Sequence, residues 1–259
     1  SLCLFGCSLL TDTSGLTRAS PVDGTTALDA SQDGSADSSS APPDAALPPI
    51  AFRGAQVVSP IDGDDVTIDV PIVAPDDFLL LALYQYNAGA TVTGLDAGWV
   101  LRGAIDPSGS DGNHGRHSLR IYSRRVAADD PTSYKVTVAA AASGEIVSAL
   151  LAAWGNVDPR LPVDAEMLVA KDFEPFVVPS ITTAAVDDLL VAVTSTTYGR
   201  GASWSAPTGM VQVASTGVLG LFSQSWPDPG ATGARAYASS AQFNVGSGAA
   251  VFALRRAVR

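Results

Sequence analysis

A chain of 259 residues with 15 Lys+Arg against 26 Asp+Glu carries a formal charge of −11, and 46% of its residues are hydrophobic. So acidic a chain repels phosphate backbones, which argues against general nucleic-acid binding, and it has no apolar run of the ~18 residues a membrane span needs. Both cysteines, Cys3 and Cys7, fall within the first seven residues, so the rest is neither a disulfide scaffold nor a thiolate metal site.

The chain opens Ser1-Leu2-Cys3-Leu4-Phe5-Gly6-Cys7, an apolar run that closes on a small residue and a cysteine. Leu4-Phe5-Gly6-Cys7 resembles the lipobox of bacterial lipoproteins. The resemblance implies that residues 1–7 are the end of a signal whose basic front precedes the sequence shown, and that Cys7 is lipidated. It also implies that the protein is anchored to a membrane rather than spanning it, with Ser8 after the cysteine pointing to the bacterial outer membrane or cell surface. An ordinary buried N-terminal strand is the competing reading. Residues 8–49 read as a disordered tether, because Ser, Thr, Ala, Asp and the Ala41-Pro42-Pro43 and Leu47-Pro48-Pro49 runs bury too little apolar area to offset chain entropy. Residues 1–50 hold one Arg and six Asp, so nearly half of the net charge lies there.

From Ile50 the texture changes to short apolar or alternating runs separated by Gly, Pro, Asp and Ser, the signature of antiparallel β-structure. Phe78–Tyr84 reads as a continuous apolar strand. Leu119–Arg124 and Tyr134–Val138 alternate, so each should have one wet face. Glu145–Trp154 would suit a helix or a strand, and a repeat decides for the strand. Asp76-Asp77-Phe78-Leu79-Leu80 is echoed by Asp187-Asp188-Leu189-Leu190-Val191, 111 residues on, and Gly98-Trp99-Val100 by Gly209-Met210-Val211 at the same offset. Leu119-Arg120-Ile121-Tyr122-Ser123 is echoed by Leu219-Gly220-Leu221-Phe222-Ser223 at an offset of 100, so one loop of the first copy is longer by 11 residues. Ala149–Trp154 and Gly248–Leu254 close the two copies alike. Four landmarks in one order indicate a tandem duplication.

The expected fold is therefore all-β: an antiparallel two-sheet, jelly-roll-like sandwich over residues 50–259, built from similar halves at about 50–158 and 159–259. Each copy would suit an immunoglobulin-like unit or half of one large jelly roll, and the lack of a Pro-rich linker between them favours one fused sandwich. The Asp-Asp pairs should set turns and keep the strand entrances wet; the Gly-Trp and Gly-Met pairs should drop a large side chain onto the core. The order of these landmarks, with Trp154-Gly155-Asn156-Val157-Asp158-Pro159 and Pro162-Val163-Asp164-Ala165, resembles jelly-roll-like modules of bacterial surface and phage tail-fibre-like proteins. That resemblance covers roughly residues 54–256. It implies secretion and a binding or scaffolding role, and it carries over no catalytic residues.

Reaction chemistry is poorly furnished. His114 and His117 are the only histidines, both in the insertion of the first copy. There Asp106, Ser108, Ser110 and Asp111 offer oxygens at the spacing of a Ca²⁺ loop, but His117 stands where a closing bidentate acid belongs, and a solvated hairpin tip is the simpler reading. A zinc site on the two histidines would lack preorganisation. The Gly201-Ala202-Ser203-Trp204-Ser205 segment lacks the closing glycine of a nucleophile elbow, and the three glutamates, Glu145, Glu166 and Glu174, are scattered. No catalytic residue and no cofactor is expected. The better lead is aromatic: Tyr198, Trp204 and Trp226, with Arg200, lie beside loop-like segments, where an exposed ring can stack on a sugar face. Against that, Trp99, Trp154 and Trp204 would equally serve as core plugs. The expected function is non-enzymatic: a lipid-anchored surface protein that binds glycan or another surface protein, the alternative being a structural subunit of an appendage or matrix, with a secreted hydrolase third.

Overall fold

The computed structural model describes residues 47–62, 65–86, 91–106, 117–139, 146–171, 176–196, 203–240 and 247–258. Lipidation at Cys7 and the tether, apart from its last residues, lie outside them. Among the described residues every regular element is a strand.

The first half contributes β1 (Ala51–Asp62), β2 (Asp65–Asp69), β3 (Phe78–Tyr86), β4 (Thr91–Thr93), β5 (Val100–Ile105), β6 (His117–Arg125), β7 (Ser133–Ala139) and β8 (Ile146–Gly155). The second contributes β9 (Val163–Lys171), β10 (Phe176–Val178), β11 (Thr182–Thr183), β12 (Asp188–Thr196), β13 (Trp204–Ser205), β14 (Val211–Ser215), β15 (Leu219–Trp226), β16 (Gly230–Ala231), β17 (Arg235–Ser239) and β18 (Ser247–Leu254). Five strands of the first half pair in the order β1-β8-β3-β6-β5 and three in the order β2-β7-β4. The second half repeats both: β9-β18-β12-β15-β14 and β10-β17-β13, with the short β11-β16 pair added.

Register confirms the duplication residue by residue. Phe78 lies opposite Trp154 and Arg125, and Leu189 opposite Leu254 and Ser225. Bulges recur at the same places: between Leu101 and Gly103 and between Gln212 and Ala214 on one edge, and at Arg53 and Asp164 on the other. An extra edge residue twists the strand and blunts it against further pairing.

Each half thus has its own two sheets. The sequence leads one to expect a two-sheet sandwich; two five-stranded sheets do face each other, and each also carries a three-stranded sheet on its outer side. The side chains divide accordingly. Phe78, Leu80, Ala82, Tyr84, Leu150, Ala152 and Trp154 meet Val191, Val193, Leu219, Leu221, Ala250, Phe252 and Leu254 in a central core shared by the halves. Leu79, Leu81, Leu83, Ala149 and Leu151 pack instead under Val66, Ile68, Tyr134, Val136 and Val138 of the first outer sheet. Leu190, Ala192, Ala249, Val251 and Ala253 pack under Val178, Trp204 and Tyr237 of the second half. Both faces of β3, β8, β12 and β18 are dry, which is why these segments read as unbroken apolar runs, whereas β2 and β7 alternate because one face meets water.

The loop landmarks also find their roles. Trp99 and Met210 are buried plugs, as the repeat implies. Asp76 and Asp187 adopt left-handed backbone, φ 72° and 57°, a conformation short polar side chains tolerate, and each turns the chain into its strand. The expected wetness of the Asp-Asp pairs is half right. Asp76 and Asp187 are exposed, but Asp77 and Asp188 are 4% and 2% exposed, because each points under its outer sheet on the face that Leu79 or Leu190 continues. The Asn156–Asp158 connector is stitched to the chain's end: Asp158 N–H donates to Arg255 O, and Ala257 N–H to Asn156 O, at 2.8 and 2.9 Å. A buried Ser148 donates to Val58 O at 2.8 Å and accepts from the Thr216 hydroxyl across the seam at 3.0 Å, and Arg102 pairs with Glu166 at 2.9 Å. The halves are one fused body.

Candidate functional site

The polar groups that the fold gathers best lie where β12 begins. Asp187, in its left-handed turn, pairs with Arg256 at 2.8 Å. Asp188 follows as the first residue of β12 and lies opposite Trp226, the last of β15. Asp187, Asp188, Ser225, Trp226, Pro227 and Arg256 border a cleft of about 130 Å³, closed on its far side by Pro49 and Ile50. That volume holds about four waters, or one edge of a sugar ring. Trp226 is half-buried. The Arg235 guanidinium covers its ring at 5.3 Å, a cation–π contact, and its indole N–H is buried without an acceptor.

Beneath the cleft the two halves diverge in charge. In the first half Arg53 reaches Asp77 at 3.3 Å, and Ala74 N–H donates to the same carboxylate at 2.8 Å. In the second half Asp164 occupies the bulge position of Arg53, so Asp188 faces a carboxylate rather than a guanidinium. Burial, and then Asp164 beside it, push the Asp188 carboxyl up to about 7, against the pull of Arg255.

The other sequence candidates are dispersed. Trp204 is 9% exposed, with its indole N–H donated to Thr216 O at 3.0 Å, so it is a core plug and offers no stacking face. Trp99 and Trp154 are likewise interior. Tyr198 and Arg200 lie outside the described residues. Asp106 is exposed and pairs with Arg120 at 3.1 Å, while Ser108, Ser110, Asp111 and His114 lie outside the described residues. His117 is not at a hairpin tip: it begins β6, buried and stacked on Tyr84 with ring centroids 5.8 Å apart. Among the described residues no three His, Cys, Asp or Glu side chains converge as a metal site, and no helix is long and apolar enough to cross a membrane.

Of the two aromatic candidates in the described residues, Trp226 borders this cleft and Trp204 is spent in the core. Its neighbours Asp187, Asp188, Arg256 and Asp164 were missed from sequence, although superposing the copies would have flagged Asp164, the one acid standing where the first copy has a base. A second, larger groove of about 360 Å³ runs along Val70, Pro71, Ile72, Val73, Val126 and Pro131 in the first half, and it is mainly apolar. Compared with protein-family models, curated proteins and solved structures, the chain finds no match in any of the three, so no relative ties it to lipoproteins or tail-fibre-like proteins.

Proposed function

We propose that this is a non-enzymatic surface-binding protein, anchored through a lipid on Cys7, whose second half holds a glycan, or a comparable hydroxyl-rich patch of another surface protein, at the Trp226 cleft. The observation that carries this reading is the meeting of an aromatic ring, a carboxylate–guanidinium pair and a hydroxyl (Trp226, Asp187 with Arg256, and Ser225) in one small cleft. Apolar C–H groups of a sugar suit the part of the ring that Arg235 leaves uncovered, and its hydroxyls suit the charged pair. Residues 8–49, read as a tether, would hold the all-β body off a membrane.

The test is a glycan array and calorimetry on the full chain. Wild type should bind at least one glycan class, and Trp226→Ala should lose at least tenfold in affinity while its unfolding curve stays cooperative. Binding untouched by Trp226→Ala would refute the site. The anchor is tested separately, by incorporation of a labelled fatty acid that Cys7→Ala abolishes. A structural-subunit role has its own support: on one side wall β5 and β9, edge strands of facing sheets, expose Val100, Leu101, Met167 and Val169 around the Arg102–Glu166 pair. Sedimentation showing polymers that Leu101→Lys disperses would favour that role.

A further inference from the structure

The pseudo-symmetry makes one buried feature conspicuous. Three carboxylates meet at the start of β12, Asp164 from β9 with Asp187 and Asp188, and Asp158 of the connector is joined to them through Arg255. Two guanidiniums face them. Arg256 is taken by Asp187 at 2.8 Å, and Arg255, which stands where the first half has Gly155, leans on Asp158 at 3.8 Å. Asp164 and Asp188 remain, with no cation of their own. Asp188 is 2% exposed and neither of its oxygens receives a hydrogen bond. Asp164 uses Oδ2 to accept the N–H groups of Ala184 and Ala185, at 2.5 and 3.2 Å, and so holds the turn between β11 and β12.

We propose that Asp188 keeps its proton and donates it to Asp164, forming a pH-sensitive lock that fastens the 184–187 turn to the start of β12. A buried ionised carboxylate is poorly kept beside a second one without a counter-charge, so either Asp188 holds a proton or Asp164 is pushed off and frees the Ala184 and Ala185 amides. The other elements packed here supply no counter-charge. β11 brings only Thr182 and Thr183, and β15 presents Trp226, whose ring already carries Arg235 of β17. Burial and the Asp164 charge raise Asp188 to about 7, which puts the switch near neutrality.

The sign follows. A carboxyl raised in the folded state binds a proton that the unfolded chain has released, so its stabilisation is complete below about 4 and disappears as pH rises through about 7. Between pH 5 and 8 the folding equilibrium should fall on the order of a hundredfold from this pair alone.

The experiment measures urea unfolding of the full chain at pH 5 and pH 8, with carbon-detected titration of the Asp side chains. Wild type should lose stability between these pH values by roughly that factor relative to Asp188→Asn. Asp164→Asn should also remove the difference and serves if Asp188→Asn does not fold. Asp164→Arg, which installs the first half's cation, should be more stable than wild type at pH 8. An Asp188 carboxyl titrating in the ordinary range near 4, or an unchanged pH difference in both Asn variants, would overturn the proposal. So would Ca²⁺ restoring the wild type at pH 8 but leaving the variants unmoved, since the pair would then hold a metal ion and not a proton.

Discussion

Leu150 and Leu151 are neighbours on β8, 1% and 0% exposed, yet they belong to different interiors: Leu150 to the core between the halves, Leu151 to the core under the first outer sheet. Replacing either by Ala removes about three methylene equivalents, ~2.4 kcal/mol at ~0.8 kcal/mol each. Partial collapse of the space left behind adds ~1–2 kcal/mol at ~24 cal/mol per Å³ of residual cavity. Each variant should therefore cost about 3.5–4.5 kcal/mol, read as a lower urea midpoint with an unchanged denaturant slope. A sheet with one face in water would give a different result, because one of two adjacent strand residues would then be exposed and its truncation nearly neutral, within ~0.5 kcal/mol. If either Leu150→Ala or Leu151→Ala costs less than about 1 kcal/mol, the four-layer arrangement is wrong on that side of β8.

The seam between the halves has a polar pin. Thr216 Oγ1 accepts from the Val218 and Leu219 N–H groups and donates to Ser148, whose own hydroxyl donates to Val58 O, so Thr216→Val should cost about 2–3 kcal/mol in urea unfolding and Ser148→Ala about 1–2, because the latter strands one buried hydroxyl rather than two N–H groups. Asp130 behaves opposite to Asp188. Burial alone would raise its carboxyl, but the Arg124 guanidinium, donating from Nε at 2.9 Å, and the Ala127 N–H hold it below the usual range. This stabilisation is present above about 4 and is lost as pH falls through the depressed value, so Arg124→Met should destabilise at pH 7 and much less at pH 2 in thermal unfolding. Gly94 has φ 89°, and a Cβ there would lie 2.6 Å from the Lys135 carbonyl oxygen, so Gly94→Ala should cost about 1–3 kcal/mol. Gly233→Ala, at φ 72° with open space around it, should cost only about 1 kcal/mol by the same assay.

The duplication was legible because the strands that carry it are dry on both faces. Phe78–Leu83 and Leu189–Val193 must stay apolar at every position, so their likeness survives, together with the left-handed Asp that starts each one. The outer sheet of the second half was not legible. Its strands are as short as Phe176–Val178 and Trp204–Ser205, too brief to show a period. Asp77 and Asp188 misled for a related reason. Charge next to a turn normally signals water, and only the distant Arg53 explains why one of them can be buried. Trp204 and Trp226 both border loops in the sequence. What separates them is a tertiary fact, the reach of the Trp204 indole N–H to Thr216 O, which no local pattern encodes.

Two copies of one sandwich packed face to face have little freedom in the shared core, since a change on β12 or β18 is felt by the opposite sheet. Divergence can accumulate at the strand ends, where the requirement is for a turn rather than for a shape. There the first half sets a guanidinium, Arg53, against its buried Asp77. At the equivalent corner the second half has Asp164 in place of that guanidinium, with Arg255 and Arg256 where the first half has Gly155 and Asn156, and Trp226 with its cleft lies alongside. A duplicated scaffold that keeps one corner neutralised and leaves the other short of a counter-charge has placed its chemical asymmetry in the second copy. The first half's Arg53–Asp77 pair is therefore the internal control for any binding or pH response measured at the Trp226 corner.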